Sequence, residues 1–127
     1  MIPTNIEEKV IVRSANDNDR SSIANLIHFE PYTHRHLDWR PPLDWIGTQP
    51  YLIAEIDHQI VGALACPLDP PDIAWIRLFA VASQHDVISV WNQLWERVLL
   101  ILNRMKPKNV SAIPMQNWFR DLLLLND

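Results

Sequence analysis

Glycine and cysteine are scarce in this sequence, whereas proline is frequent. The 127 residues include two glycines, one cysteine and ten prolines. Because only Gly47 and Gly62 can take a positive φ cheaply, the sequence excludes a glycine-rich loop of the kind that wraps a phosphate. The lone Cys66 lies inside an apolar run. We therefore expect a small buried side chain rather than a nucleophile, in a reduced, cytoplasmic setting.

The sequence also lacks an excess of basic charge and any long hydrophobic run. The formal net charge is −4, which argues against a nucleic-acid partner, because such proteins need a basic face. No apolar run approaches the roughly 20 residues of a membrane helix, and residues 1–9 do not resemble a signal peptide. Hydrophobic residues make up 48% of the chain, including six tryptophans. This is enough material for one core, so we expect a single domain over residues 1–127.

The centre of the fold is predicted to lie between Tyr51 and Val81. Two runs rich in β-branched residues, Tyr51–Ile56 and Gln59–Cys66, flank Asp57-His58, a pattern that indicates a hairpin with a two-residue turn or a slightly longer loop. A third run, Ile73–Val81, follows a proline-rich loop, and prolines fall between strands rather than inside them. Together the three runs predict an antiparallel meander.

The rest of the chain alternates helices and short strands. In order, these are a strand at Val10–Arg13, a helix from Asn16–Asn18 to Phe29, an irregular segment over residues 32–49 with a short helix at Pro42–Ile46, a helix at Asp86–Met105, a strand at Asn109–Ile113 and a helix at Gln116–Leu125. The segment 32–49 is rich in rings and charges, which favours a binding loop or an irregular lid. The strand at 109–113 follows a helix, so it should run parallel to the strand before that helix.

This order of elements resembles the GNAT superfamily of acyl-CoA-dependent N-acetyltransferases. The segment Ala54–Gly62 is similar to the second and third strands of that family, Leu78–Val81 to the end of the fourth, and Asn117 to a frequent asparagine at the head of the last helix. The resemblance covers roughly residues 10–127. It implies an α+β fold with a mixed, mainly antiparallel sheet flanked by helices.

The resemblance also implies a donor site for acetyl-CoA. In the family the fourth and fifth strands splay apart, so here the backbone of Phe79, Ala80 and Val81 would line the pantetheine arm. The family's pyrophosphate loop would correspond to residues 84–89, with Gln84, Val87 and Ser89 at its key positions. Val87 stands where the family has its first glycine, and Asp86 adds a negative charge to an anion site. The alternative is a plain strand-to-helix turn capped by Ser83 or Asp86.

Candidate catalytic and acceptor residues lie on the central strands and in the irregular segment. Glu55 is the expected general base, since it lies on a strand beside the expected cleft. The rings of Tyr32, Trp39 and Trp45 either line an acceptor pocket or pack on the sheet. Residues 34–38 read His-Arg-His-Leu-Asp, a pattern that points three ligands one way only in an extended chain. We interpret them as surface residues and predict no metal site.

The last helix departs from the family. Leu123 aligns with a tyrosine that is often the family's general acid, and the family's two final strands have no counterpart, so the fold is expected to be truncated after this helix. The strand at 109–113 and the helix would then need cover from a second copy (a homodimer) or from further C-terminal sequence. The function that the resemblance implies is N-acetyl transfer to an amine of a small molecule or peptide. The alternative is a catalytically silent binding or dimerisation module with the same fold.

Overall fold

The computed structural model describes residues 9–35, 40–68, 72–112 and 116–125. Its elements, in chain order, are β1 Ile11–Ser14, α1 Arg20–Phe29, β2 Tyr32–Arg35, β3 Tyr51–Ile56, β4 Gln59–Ala65, β5 Ile73–Trp75, β6 Leu78–Val81, α2 Val87–Met105, β7 Asn109–Ser111 and α3 Asn117–Leu124, with single 3-10 turns at Asp17–Asp19 and Pro42–Trp45. The predicted α+β fold with a mainly antiparallel sheet is confirmed.

Five strands form the main sheet in the order β1-β3-β4-β6-β2, and every neighbouring pair is antiparallel. The β3–β4 hairpin turns through Asp57 and His58 alone, which have φ values of 52° and 66°. Positive φ at both central residues is the geometry of a type I′ turn, whose twist matches the flanking strands. The two-residue turn expected from the sequence is therefore confirmed.

The third apolar run, expected as one strand, is two strands in different sheets. Residues Ile73–Trp75 form β5 and pair in parallel with β7, whereas Leu78–Val81 form β6 and pair with β4. The backbone N–H of Ile76 donates to Ser111 O at 2.9 Å, and the N–H of Arg77 donates to Ala65 O at 2.8 Å. The chain thus changes partner between these two residues, which no periodicity in the run could reveal.

The segment after α1, expected as a loop or lid, begins with a strand instead. Tyr32–Arg35 is β2, which lies at the edge of the main sheet and pairs with β6 from Tyr32 opposite Val81 to Arg35 opposite Leu78. The four residues Tyr-Thr-His-Arg are too few to show a strand period in the sequence, so tertiary pairing decides their conformation. The 3-10 turn at Pro42–Trp45 agrees with the short helix expected there, with Pro42 in its first turn.

Helices cover the sheet on both faces. Thr33 and His34 are successive residues of β2, so they point to opposite faces. Thr33 Oγ1 donates to Leu26 O of α1 at 3.4 Å, whereas the ring of His34 stacks on Phe119 of α3. α2 lies on the same face as α3, as the aromatic contacts between them show. The core is therefore layered as α1, sheet, then α2 and α3.

The long helix α2 approaches the sheet closely at Gly62 of β4. A Cβ built on Gly62 would lie 2.7 Å from Val90 Cγ1 and 3.4 Å from Leu94 Cδ1. The glycine is needed here for close packing, since its own φ is not positive. Asp86 caps the start of α2 by accepting the N–H of Ile88, and Lys106 ends it in the left-handed region. The helix expected at Asp86–Met105 is thus confirmed.

Candidate functional site

A branch point in the sheet lies where β5 meets β6. On the β5 side, β7 is the parallel neighbour, and that pairing ends at Trp75 opposite Ser111. On the β6 side, the neighbour is β2. The expected splaying of the strand over residues 73–81 from the strand at 109–113 is therefore present. However, β2 lies in the gap between them.

This placement of β2 decides what the backbone of β6 can bind. Phe79, Ala80 and Val81 pair with β4 on one side and with β2 on the other, and all three are fully buried. The expectation that this backbone offers free N–H and C=O groups to a pantetheine arm is therefore wrong for this arrangement of the strands. The physical reason is that β2 already forms a ladder along the same edge.

Aromatic rings fill the space between α2, α3 and the sheet beside β2. Phe79 makes an edge contact with Trp91 of α2, at 5.1 Å between ring centroids, and lies 6.2 Å from Phe119 of α3. The ring of His34 stacks on Phe119 at 4.0 Å, and its Nε2 lies 3.2 Å from the carbonyl oxygen of Ile76 at the branch point. The inner end of the gap is thus packed with side chains.

The outer end of the gap is open. A cavity of about 560 Å³ lies at the N-terminal end of α2, between α2 and α3, and we call it the α2–α3 cavity. Its lining comprises Tyr32, Ser83, His85, Asp86, Val87, Ile88, Trp118, Asp121, Leu122 and Leu125. Most of these side chains are apolar, which suits an extended, largely uncharged ligand portion.

The N-terminus of α2 forms one wall of this cavity without a glycine. Val87 is the first helical residue, and no residue from 83 to 89 has a positive φ. The Asp86 carboxylate accepts the N–H of Ile88 at 3.2 Å, so one donor of the helix start is already used. No Lys or Arg lines the cavity, whereas Asp86 and Asp121 do. These charges oppose a pyrophosphate, while the apolar walls fit a pantetheine arm.

A second cavity, which we call the α1 cavity, lies on the opposite face of the sheet. It measures about 450 Å³, and its lining comprises Arg13, Asp19, Ser22, Asn25, Leu26, Phe29, Glu30, Glu55, His58, Gln59, Ile60, Ala82 and Gln84. Glu55, the expected general base, lies in this wall, and its carboxylate is in close contact with Arg13 Nε. Glu55 therefore already has a cationic partner, which a role as base would have to accommodate.

The same guanidinium holds a second carboxylate. Both terminal nitrogens of Arg13 donate to Asp19, each at 2.8 Å, and the Asn16 N–H donates to Asp19 at 2.9 Å. Hydrogen bonding to Arg13, more than burial, determines the pKa of Asp19, which lies below its ordinary value. The Arg13–Asp19–Glu55 cluster thus ties β1, the turn before α1 and β3 together.

The loop after β6 separates the two cavities. Ala82 and Gln84 line the α1 cavity, whereas Ser83 and His85 line the α2–α3 cavity. Glu30, at the end of α1, accepts the N–H of Ser83 at 2.7 Å and so holds this loop against the sheet. One short segment therefore forms the shared wall of two sites that open on different faces.

The residues expected to hold the pyrophosphate do not come together. Val87 lines the α2–α3 cavity and Gln84 the α1 cavity, whereas Ser89 lines a third cavity of about 420 Å³ beside Val10 and Ile56. Because a helix turns about 100° per residue, Ser89 faces away from Val87.

The expected acceptor residues are also divided. Tyr32 lines the α2–α3 cavity, on the donor side. Trp45 is 3% exposed and lies between the guanidinium groups of Arg40 and Arg77, so its expected place in an acceptor pocket is wrong and it packs in the core. Trp39 lies outside the described residues.

The residues considered for a metal site are not assembled as one. His34 is buried against Phe119, and His36 and Asp38 lie outside the described residues. No group of three or more His, Cys, Asp or Glu in the described ranges is placed to hold a metal ion. Burial raises the pKa of the Cys66 thiol to about 12, which leaves little reactive thiolate. Of the helices the structure describes, none is long and apolar enough to cross a membrane.

Comparison with known proteins identifies the fold. No protein-family model matches the sequence, and no curated protein matches it. Among solved structures, the chain is similar to Rv2747 from Mycobacterium tuberculosis in complex with CoA (TM-score 0.70, 17% identity, 91% of this chain and 69% of that one). It is similar to the diaminobutyrate acetyltransferase EctA from Paenibacillus lautus with its substrate and CoA (0.66, 20%, 94% and 75%). A third match is an aminoglycoside acetyltransferase from an uncultured soil sample in complex with sisomicin (0.67, 15%, 93% and 87%).

These similarities establish that the chain has the GNAT acetyltransferase fold. Several residues that the structure brings to the α2–α3 cavity were not expected from the sequence, namely His85, Trp118, Asp121, Leu122 and Leu125. One feature of the sequence pointed to Trp118, Leu122 and Leu125. The last helix is apolar on nearly every side, and a helix of this kind usually has a second packing surface.

Proposed function

We propose that the protein is an acyl-CoA-dependent N-acyltransferase that acts on an amine. The observation that carries this proposal is the α2–α3 cavity, which lies at the N-terminus of a long helix in a fold shared with CoA-bound acetyltransferases. When bound, an acyl-CoA would supply an activated acyl thioester. Val87, Ile88 and Trp118 would contact its apolar arm, and Tyr32 would meet it at the inner end of the cavity.

The acceptor would enter through the α1 cavity. Successive residues of the loop 82–85 line this cavity and the α2–α3 cavity, which supports the proposal. Among the described residues of its wall, the carboxylates of Asp19, Glu30 and Glu55 outnumber the one guanidinium, that of Arg13. An ammonium group suits such a wall, and Glu55 would take the proton that the amine must lose before it attacks. The comparison proteins include enzymes of small amines, which supports a small-molecule acceptor, but a ribosomal-protein-alanine N-acetyltransferase is also similar, so a peptide acceptor stays an alternative.

The donor site can be tested by removing the charge that opposes it. Asp86→Asn keeps an N-cap residue of equal quality but removes the negative charge next to the proposed pyrophosphate position. We expect about a fivefold lower Kd for acetyl-CoA in titration calorimetry, since one like charge at close range is worth about 1 kcal/mol. Asp57→Asn, which makes the same change in the exposed β3–β4 turn, should leave the Kd unchanged.

A second candidate function is a silent module used for binding or dimerisation. The pairing of β2 along β6 favours it, because this pairing occupies the backbone that the family offers to its donor. Absence of heat with millimolar acetyl-CoA, for both the unmodified protein and Asp86→Asn, would exclude the enzyme and leave this module. A second copy or further chain over α3 and β7 also remains a proposal, as does the cytoplasmic setting.

A further inference from the structure

From the placement of β2 we infer an autoinhibitory strand: Tyr32–Arg35 occupies the backbone edge of β6 that the acyl donor needs, and it must leave before the donor can bind fully. This inference rests on the proposed function. Its basis is the position of β2. The ladder between β2 and β6 extends from Leu78, just after the parallel β5–β7 pairing ends, to Val81. Tyr32, the partner of Val81, lines the α2–α3 cavity.

A bound acyl-CoA could form backbone hydrogen bonds with β6 that are equivalent to those of β2. A pantetheine arm carries two amide groups, and amides can replace a strand's hydrogen bonds along an edge, as in recognition by strand addition. Because β2 is itself an edge strand of four residues, its release opens no other pairing in the sheet. The exchange therefore replaces one set of backbone hydrogen bonds with another of similar strength.

The buried side chains of β2 are more easily solvated than those of β6. Its two buried residues are Thr33 and His34, both polar, whereas every residue of its partner β6 is buried and apolar. Water can solvate a released hydroxyl and imidazole, so their exposure costs less than that of two apolar side chains. Tyr32 and Arg35 are already exposed. Displacement of β2 would leave the apolar core of β6 to be covered by the ligand.

Beyond its ladder, β2 is held by the stacking of His34 on Phe119, by the approach of His34 Nε2 to Ile76 O and by contacts of Thr33 and Tyr32. Thr33 Oγ1 donates to Glu30 O at 3.0 Å, and Gln116 Nε2, at the start of α3, donates to Thr33 O at 3.2 Å. The ring of Tyr32 makes an edge contact with Trp118 at 5.4 Å, within the wall of the α2–α3 cavity. A ligand that fills this cavity would contact Tyr32, so binding there and release of β2 are physically linked.

A reversible covalent lock tests the inference. Thr33 and Ala80 are direct partners across the β2–β6 ladder, where antiparallel Cα separations of about 4.5–5.5 Å suit a disulfide. We expect oxidised Thr33→Cys/Ala80→Cys to bind acetyl-CoA more than about tenfold more weakly than the reduced form, because the lock removes the competent state. The matched control is Val12→Cys/Ala54→Cys across β1–β3, where oxidation should change nothing. Equal affinity of the locked and reduced forms would overturn the inference and leave the proposed function intact.

A milder pair of variants covers the case in which the locked protein does not fold. Gln116→Ala removes the bond to Thr33 and should tighten acetyl-CoA binding by about fivefold, the value of one hydrogen bond. Gln49→Ala removes a similar bond, from Gln49 Nε2 to Ser14 Oγ at 3.0 Å on the other edge strand, and should leave binding unchanged. Identical Kd values for both variants and the unmodified protein would contradict the autoinhibitory role.

Amide hydrogen exchange tests whether acetyl-CoA releases β2 from β6. Acetyl-CoA should speed exchange in residues 32–35 while residues 78–81 stay protected, because only β6 gains a new partner. Slower or unchanged exchange in 32–35 with measurable binding would mean that the donor binds without moving β2. If acetyl-CoA binds to none of these proteins, both the autoinhibitory strand and the proposed function fail.

Discussion

At the residue scale, the best-defined interaction is that of Asp19 with Arg13. The carboxylate is 5% exposed, accepts two hydrogen bonds from the guanidinium and caps the turn before α1. An aspartate with a lowered pKa stabilises the folded state above its unfolded-state pKa of about 3.9, and this contribution is lost as the pH falls through the folded-state value. Acid should therefore weaken this cluster only below the ordinary pKa of an aspartate.

We predict that Asp19→Asn removes part of the acid sensitivity of the protein. The free energy of unfolding should be lower than that of the unmodified protein at pH 7. The two values should converge as the pH falls from the unfolded-state pKa of about 3.9 through the lower folded-state pKa, because Asp19 then becomes protonated. Urea unfolding followed by tryptophan fluorescence from pH 7 to pH 2 would measure this. Asp17→Asn, at an exposed position two residues away, should leave the pH profile unchanged. Parallel profiles for Asp19→Asn and the unmodified protein would refute the assignment.

Glu55 has two roles to separate, as the proposed base and as a partner of Arg13. Glu55→Gln keeps the shape and a hydrogen-bond acceptor but removes the base. If Glu55 is the base, kcat should fall by about 10²–10⁴-fold, the usual contribution of general base catalysis, with a small change in melting temperature. Release of CoA thiol with a panel of small amines would measure kcat. An unchanged kcat with a lower melting temperature would assign Glu55 to the ion pair alone.

At the element scale, the packing of α2 on β4 depends on Gly62. We predict that Gly62→Ala lowers the free energy of unfolding by about 1–3 kcal/mol, because the new methyl group would overlap Val90. The double variant Gly62→Ala/Val90→Ala should lose less than the sum of the two single changes, since the smaller residue on α2 makes room. Denaturant unfolding of all four proteins measures the coupling. Simple additivity would show that the contact does not limit the packing.

The elements that the sequence predicts well are those whose signals are local. The β3–β4 hairpin and α2 follow from alternation, a short polar turn, a wide apolar stripe and an N-cap at Asp86. The strand β2 could not be predicted, because its four residues are too few to show a period and its partner β6 is 43 or more residues away. The division of residues 73–81 into two strands has the same cause, since it depends on which distant strand pairs with Ile76 and Arg77.

The residues of the candidate site were likewise predicted only in part. The family resemblance directed attention to the start of α2, which does line the α2–α3 cavity, and to β6, whose residues do not. It failed for Ser89 and Trp45, because their surroundings depend on the helix rotation and on the depth of the core. Trp118 and Leu122 reach the cavity only through the docking of α3, a contact that leaves no local pattern in the chain.

At the scale of the whole molecule, exposed leucines on α3 raise the question of what covers them. Leu124 is 65% exposed and Leu125 is 70% exposed, and Val110 of β7 is also exposed. If a second copy packs there, sedimentation velocity should show a dimer that Leu124→Lys shifts to monomer. Leu100→Lys, at a similarly exposed position on α2, should leave the dimer intact. A monomer at all concentrations would rule out the homodimer.

The loop of residues 82–85 is a turn in which the His85 N–H donates to Ala82 O at 3.1 Å. Ala82 and Gln84 line the acceptor side, whereas Ser83 and His85 line the donor side. Because this hydrogen bond fixes the number of residues in the turn, an insertion or deletion would alter both walls at once. Engineers who wish to alter one specificity without disturbing the other should therefore exchange residues in this loop and keep its length.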